Sequence, residues 1–221
     1  MSAVKLAREN DMLVSIKGGG HSVAGRGVCD NGLMIDLSLM NDVKVDPKAR
    51  VAHVGPGARL ADLDRATQAH GLATTGGLVS ETGVAGLTLG GGMGYLARRF
   101  GLTIDNLISA DVVTADGKLI HASEKENPEL FWGLRGGGGN FGVVTSFEFK
   151  LHEVGPEVLV AQIFYPIESA SRVLRTYREF MSKAPNEMAC YSLVANVPPV
   201  EPFPEEFHGK TSIAMVACYS G

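Results

Sequence analysis

Three glycine-rich segments stand out in the sequence: residues 17–22, KGGGHS; residues 80–94, SETGVAGLTLGGGMG; and residues 136–142, GGGGNFG. Glycine allows the backbone to approach a ligand closely and reaches positive φ without a Cβ penalty, but it weakens ordinary helices and strands. Three such clusters are therefore costly unless something packs against them. We expect all three to be loops shaped around a bound molecule.

The glycine surplus is local. The chain of 221 residues has 28 glycines, and more than half of them lie between residues 76 and 142. The segments contain Leu, Val, Met and Phe rather than the polar residues of flexible linkers. Successive N–H groups of residues 17–22 could form an anion-binding nest, and the apolar residues of 83–94 suit a flat aromatic ligand. For residues 17–22 alone, a tight turn with an exposed histidine is the alternative.

The overall composition excludes several classes of protein. A hydrophobic content of 45% with 20% charged residues is globular, and 20 Lys and Arg against 24 Asp and Glu leave no positive surplus for nucleic acid. The sequence lacks an apolar run of about 20 residues and a signal-peptide core, so we expect no membrane partner and a cytoplasmic location. Cys29, Cys190 and Cys218 have unrelated spacings, which predicts neither a disulfide framework nor a zinc site.

Short runs of alternating hydrophobicity joined by turns predict an α+β fold, with a change of pattern at Pro156. The predicted helices of the first part are 3–10, 58–70, 95–100 and 128–134, and its strands are 12–16, 33–37, 43–45, 51–54, 107–114, 118–122 and 143–154. After Pro156 we predict a strand, a helix and two strands, at 158–165, 168–183, 188–197 and 211–219.

Residues 137–142 match the pattern G-x-G-x-x-G, but the context argues against two common nucleotide sites. A Rossmann fingerprint follows a strand and opens a helix, whereas here a predicted helix precedes the loop and a strand follows it. A protein kinase would also need a lysine strand, an HRD-type loop and a DFG segment, which the sequence lacks. Neither site is expected.

Residues 17–22, 80–94, 99–107 and 130–145 together resemble the FAD-linked oxidases related to berberine bridge enzyme, within the vanillyl-alcohol oxidase/p-cresol methylhydroxylase group. The resemblance covers most of residues 5–155. It implies a p-cresol methylhydroxylase-type FAD-binding domain of two α+β subdomains at 1–155, and at 156–221 the start of an α+β substrate domain with an antiparallel sheet. Members of this family are much longer, so the resemblance predicts that the chain is a fragment.

The same resemblance assigns the cofactor contacts. The first glycine loop and residues 83–94 are expected to hold the FAD diphosphate, and residues near 141–144 to approach the cofactor. His21 is expected to bond covalently to the flavin 8α-methyl carbon, and Val79 stands where members with a second link have cysteine. The residues assigned to FAD are Gly18, Gly19, Gly20, His21, Ser22, Gly77, Thr82, Gly83, Gly86, Leu87, Gly90, Gly92, Gly94, Val143 and Val144.

The implied activity is hydride transfer from a small organic substrate, an alcohol, a sugar or an amine, to FAD, with molecular oxygen as the expected acceptor. No catalytic base and no metal site are assigned. The alternative is a truncated, non-catalytic flavin-binding module that needs an oligomer, a partner or further chain to fold.

Overall fold

The computed structural model describes residues 1–221 and contains two compact units, Met1–Pro156 and Glu157–Gly221. Its mixture of helices and largely antiparallel strands confirms the α+β class. None of its helices is long and apolar enough to cross a membrane. The elements of the first unit are α1 (Ser2–Glu9), β1 (Val14–Lys17), β2 (Leu33–Asp36), β3 (Val43–Asp46), β4 (Val51–Val54), α2 (Leu60–Gln68), β5 (Leu72–Ala73), α3 (Val84–Leu89), α4 (Ala97–Phe100), β6 (Leu107–Val113), β7 (Leu119–Ser123), α5 (Pro128–Leu134), β8 (Val143–Lys150) and β9 (His152–Glu153).

Five strands of the first unit form an antiparallel sheet in the order β3-β4-β8-β6-β7, with β8 in the middle. On one face of β8, Phe147 and Phe149 are fully buried, and their ring centroids are 5.9 Å apart. Helix α2 contributes Leu60 and Leu63, each 2% exposed, to the same core. Burial of each of these side chains stabilises the fold by roughly 1.5–3 kcal/mol.

The pairing of β8 with β6 shifts at Thr145, whose hydroxyl donates to the carbonyl oxygen of Asp111 at 3.2 Å. A bulge adds one residue to a strand and changes which side chains share a face. Val144 and Phe147, three positions apart, therefore both belong to the main core, which strict alternation would not allow. Val143 belongs to a second apolar cluster, to which α1, β1 and β2 also contribute.

Strands β1 and β2 form a separate parallel pair, in register from Val14 with Leu33 to Lys17 with Asp36. A parallel pair needs a long crossover connection, and here residues 18–32 supply it. The first glycine segment therefore begins where β1 ends.

The glycine pattern predicts that residues 83–94 form one continuous loop. This prediction is wrong, because Val84–Leu89 form helix α3. Val84, Ala85 and Leu89 are buried in the main core. A helix this short is unstable by itself, and Gly86 weakens it further, so this apolar packing stabilises it. The local sequence, which is dominated by glycine, does not show that the core packs against this segment and stabilises it as a helix.

The second unit contains β10 (Leu159–Pro166), α6 (Ala170–Met181), β11 (Met188–Asn196) and β12 (Thr211–Tyr219), in the order predicted from the sequence. Its strands form an antiparallel sheet in the order β10-β12-β11. Helix α6 is joined to β11 by the Tyr177 hydroxyl, which donates to the Cys190 carbonyl oxygen at 2.8 Å.

In the first unit, the buried side chain of Asn106 fixes the turn that follows α4. Its amide nitrogen donates to the carbonyl oxygens of Phe100 at 3.1 Å and Leu102 at 2.9 Å, and its Oδ1 lies 2.7 Å from Nε2 of His152. Since Oδ1 can only accept, Nε2 carries the hydrogen in this contact. The His152 ring also stacks on Phe100, with the centroids 3.9 Å apart.

We expect the stability of the chain to depend on the charge of His152. Burial lowers the pKa of His152, and the cations Lys150, Arg99 and Arg50 lower it further. The unfolded chain, with an ordinary histidine pKa of about 6.5, then binds the proton first as the pH falls, so this group destabilises the fold progressively below about pH 6.5.

The His152→Gln variant tests this dependence, because glutamine can keep a donor for Asn106 but does not titrate. The free energy of unfolding, measured in urea near pH 7.5 and near pH 5.5, should fall less with acid in the variant than in the parent. Other titrating groups, such as His121, are common to both proteins and cancel in this difference. Equal falls in the two proteins would contradict the assignment.

Candidate cofactor-binding site

The first unit contains a cleft of about 740 Å³. Its volume is in the range of roughly 300–1,000 Å³ that small-molecule and cofactor sites occupy. Residues 17–22, residues 82–90 and residues 136–142 all contribute to its wall. The fold thus brings the three glycine segments of the sequence to one cavity.

The first two segments touch through their backbones at Gly19 and Gly83. A Cβ atom on Gly83 would lie 2.6 Å from the amide nitrogen of Gly19, and a Cβ atom on Gly19 would overlap the Cα atom of Gly83. On Gly18, a Cβ atom would lie 2.8 Å from the carbonyl oxygen of Pro56. Side chains at these positions would push the loop away from the beginning of α3, so the glycines shape the cleft by allowing this packing.

The loop after β1 offers unpaired backbone donors to the cleft. The β1–β2 ladder ends where the amide of Leu37 donates to the Lys17 carbonyl oxygen at 2.8 Å, and the N–H groups of Gly18, Gly19 and Gly20 donate to no acceptor in the chain. At Gly20 φ is +72°, a left-handed conformation that suits glycine. Successive unpaired N–H groups in such a turn form a concave site for an anion.

The charged side chains in the cleft wall are all basic, although the chain has a formal charge of −4. Lys17 and Arg26 line the cleft, and no Asp or Glu does. Lys17 is paired with Asp36, with 2.9 Å between Nζ and Oδ2. Hydrogen bonds from Lys17 and from the amide of Ser38 lower the pKa of Asp36 to about 2. Arg26 therefore remains as the cation available for a bound anion.

His21 and Ser22 follow the glycine run and are exposed at the cleft. The Nδ1 atom of His21 lies 3.5 Å from Oγ1 of Thr82, so the histidine is next to the second segment. The amide of Arg26 donates to Oγ of Ser22 at 3.2 Å. This turn keeps Arg26 beside the glycine loop.

The residues present fit FAD. Unpaired N–H groups and Arg26 suit the oxygen atoms of a diphosphate, and apolar side chains on the opposite segments suit flat rings. Ala85, Leu87 and Leu89 of α3 and Val144 of β8 supply apolar wall. The cleft therefore has donors for the charged part of the cofactor and apolar surface for its aromatic parts.

The structure places most of the residues predicted for the cofactor in this wall. Those that line the cleft are Gly18, Gly19, Gly20, His21, Ser22, Thr82, Gly83, Gly86, Leu87, Gly90 and Val144.

The remaining four, Gly77, Gly92, Gly94 and Val143, lie outside the cleft wall. A Cβ atom on Gly77 would contact Leu87, one on Gly92 would overlap Thr103, and one on Gly94 would overlap the backbone of Gly76. Val143 faces the second apolar cluster. The positions of these residues give them packing roles, and their contact with FAD stays a prediction.

Sequence reasoning missed several residues of the cleft, among them Ser15, Arg26 and Pro56. Arg26 could have been found from the sequence, because it is a basic residue shortly after the histidine motif of residues 17–22. The indication for Ser15 is weaker: it is a small polar residue between the apolar residues Val14 and Ile16 of a predicted strand. Pro56 reaches the cleft through tertiary packing, which local sequence does not encode.

Comparison with known proteins agrees with this description of the site. The model of the FAD binding domain family matches residues 1–123. An FAD-linked oxidoreductase of Dictyostelium discoideum is 40% identical over 192 residues, which are 86% of this chain and 42% of that protein. The (R)-6-hydroxynicotine oxidase of Paenarthrobacter nicotinovorans is 40% identical over 161 residues, which are 73% of this chain and 35% of that protein.

Among solved structures, xylooligosaccharide oxidase from Myceliophthora thermophila C1, in complex with xylobiose, aligns with a TM-score of 0.84 and 35% identity. The alignment covers 99% of this chain and 45% of the oxidase. The chain thus spans less than half the length of these relatives. Since the family model covers more than half of the chain, including two of the glycine segments, this protein belongs to the FAD binding domain family, and FAD is its cofactor.

Proposed function

We propose that the chain is the flavin-binding part of an FAD-dependent oxidoreductase of the berberine bridge enzyme-like group. The observation that carries this proposal is the cleft in which three glycine segments, unpaired backbone donors and basic side chains meet. Bound FAD would accept a hydride from a small organic substrate, and molecular oxygen is the proposed acceptor of the electrons. The protein's part is to bind the diphosphate at Gly18–Gly20 and to hold the aromatic rings against α3 and β8.

The names of the relatives support the proposed substrate class. One is an oxidase of 6-hydroxynicotine, and another is an oxidase of xylooligosaccharides. We propose an alcohol, a sugar or an amine as the substrate of the protein to which this chain contributes. Residues 1–155 would form the FAD-binding domain, and residues 156–221 the beginning of a substrate domain.

We also propose that FAD is attached covalently through His21. The imidazole is exposed at the cleft, beside the glycine loop that would hold the diphosphate. The new bond would join a ring nitrogen to the flavin 8α carbon in place of one hydrogen of the methyl group, with oxygen as the oxidant for the two electrons released. Val79 at the position of the second link limits the proposal to a single bond.

A non-catalytic flavin-binding module is the second candidate. It is favoured by the cleft wall itself, which contains no Asp, Glu or Tyr that could act as a general base, and whose one histidine, His21, is proposed to be bonded to the flavin. The two candidates differ in one measurement: both predict flavin binding, but only the enzyme predicts bleaching of the flavin absorbance by an alcohol, sugar or amine in the absence of oxygen.

Acid precipitation tests the covalent attachment. The purified chain, incubated with FAD and precipitated with acid, should carry flavin absorbance into the pellet, because a covalent bond survives unfolding. The His21→Ala variant should leave all flavin in the supernatant.

The matched control for this experiment is His70→Ala, since His70 is a histidine of the same unit that does not line the cleft. This control should retain pellet flavin. Flavin in the pellet of His21→Ala would place the attachment elsewhere, and flavin only in the supernatant of the parent would refute the covalent bond.

The electrostatic contribution of Arg26 is tested in the His21→Ala background, where binding is reversible. We expect Arg26→Gln to weaken FAD binding by roughly 2- to 5-fold at low ionic strength, as for the loss of one exposed charge pair. The loss should shrink as salt is added, because Arg26 is exposed and salt screens exposed charges. Quenching of flavin fluorescence on binding gives the dissociation constant.

Arg65→Gln is the control, because Arg65 is an exposed arginine of α2 outside the cleft. It should bind FAD as the parent does. An equal loss in the two variants would show an effect of net charge rather than a contact of Arg26.

A further inference from the structure

The hydroxyl of Ser15 makes no hydrogen bond in the folded chain. Ser15 is 5% exposed, and its Oγ atom is buried without any hydrogen-bond partner. A buried hydroxyl without a partner destabilises the fold relative to one that is hydrogen-bonded. An apolar residue at this position would avoid that cost.

The position of Ser15 in the fold points to the partner. It lies in β1 and in the wall of the cleft, two residues before Lys17. Side chains two apart in a strand are on the same face, about 7 Å from one another. Lys17 is the cation beside the glycine loop, whereas Ile16 between them packs into the second apolar cluster. Ser15 and Lys17 therefore share the face of β1 opposite to that of Ile16.

We infer that Ser15 is a further cofactor-binding residue, whose hydroxyl is buried in the apo fold and turns about the Cα–Cβ bond toward the cleft to form a hydrogen bond with FAD. This inference rests on FAD occupying the cleft, as proposed above. FAD offers phosphate oxygens, hydroxyl groups and ring nitrogens, and a serine hydroxyl can donate to or accept from any of them. The polar group that the apo fold leaves unsatisfied becomes satisfied when the cofactor binds.

The substitution Ser15→Ala should weaken FAD binding without lowering the stability of the apo chain. In the His21→Ala background, Ser15→Ala should raise the dissociation constant for FAD by about 3- to 10-fold, the cost of one hydrogen bond. In the absence of FAD, the free energy of unfolding should stay the same or rise, because the substitution removes an unsatisfied group. A residue with a purely structural role would instead lower the stability of the apo chain.

Thr74→Val is the matched control. Thr74 is also 5% exposed, and its hydroxyl is also buried without a partner, but it does not line the cleft. Its substitution by valine should leave FAD binding unchanged.

Fluorescence titration with FAD and urea unfolding of the apo chain decide between the outcomes. An unchanged dissociation constant in Ser15→Ala would overturn the inference and leave FAD binding intact, as would be seen if an ordered water satisfied the hydroxyl. Weaker binding accompanied by an equal loss of apo stability would also overturn it. Failure of the His21→Ala parent itself to bind FAD would overturn both the inference and the proposed function.

Discussion

The contact between the backbones of Gly19 and Gly83 is the constraint on which the cleft depends. It joins the end of β1 to the beginning of α3, two regions more than sixty residues apart in the sequence. With no side chain between them, the N–H groups of the first loop and the apolar residues of α3 come within reach of one ligand. A Cβ atom at either position would separate them and enlarge the cavity, since packed backbone cannot absorb an overlap of this size.

The rest of the first unit keeps these two regions in place. The parallel pairing of β1 with β2 fixes where the glycine loop begins, and the ion pair of Lys17 with Asp36 closes that pair at its last rung. On the other side, α3 is held by Val84 and Leu89 in the core that Phe147 and Phe149 dominate. The loop thus makes few hydrogen bonds of its own, while the elements on either side of it are held by strand pairing and by core packing.

The sequence was informative where local chemistry decides the structure. The hairpin of β3 and β4 follows from two short valine-containing runs on either side of a turn, and β12 was predicted at the residues that form it. The three glycine segments were recognised as one site because glycine is costly wherever close packing or a ligand does not require it.

What the sequence left open depends on tertiary packing. Helix α3 contains too few residues and too much glycine to be predicted locally, and it exists because the core buries one side of it. Gly92 and Gly94 carry the same local signal as Gly83, yet they pack against Thr103 and against the backbone of Gly76 outside the cleft. A glycine that shapes a ligand site and a glycine that lets two segments of backbone meet are identical in sequence, and only the fold distinguishes them.

The cleft combines unsatisfied polar groups with a rigid frame, and this combination links binding to stability. The N–H groups of Gly18–Gly20 and the hydroxyl of Ser15 make no hydrogen bonds within the chain. The hydroxyl is buried, so the apo fold carries its cost, whereas Gly18–Gly20 are partly or fully exposed and their N–H groups are open to a ligand. A ligand that satisfies them binds the folded chain and not the unfolded one. It therefore stabilises the fold in proportion to the logarithm of its concentration over its dissociation constant. Because Ser15 lies in β1, which pairs with β2 outside the five-stranded sheet, we expect the cofactor to act chiefly on the segment that contacts it.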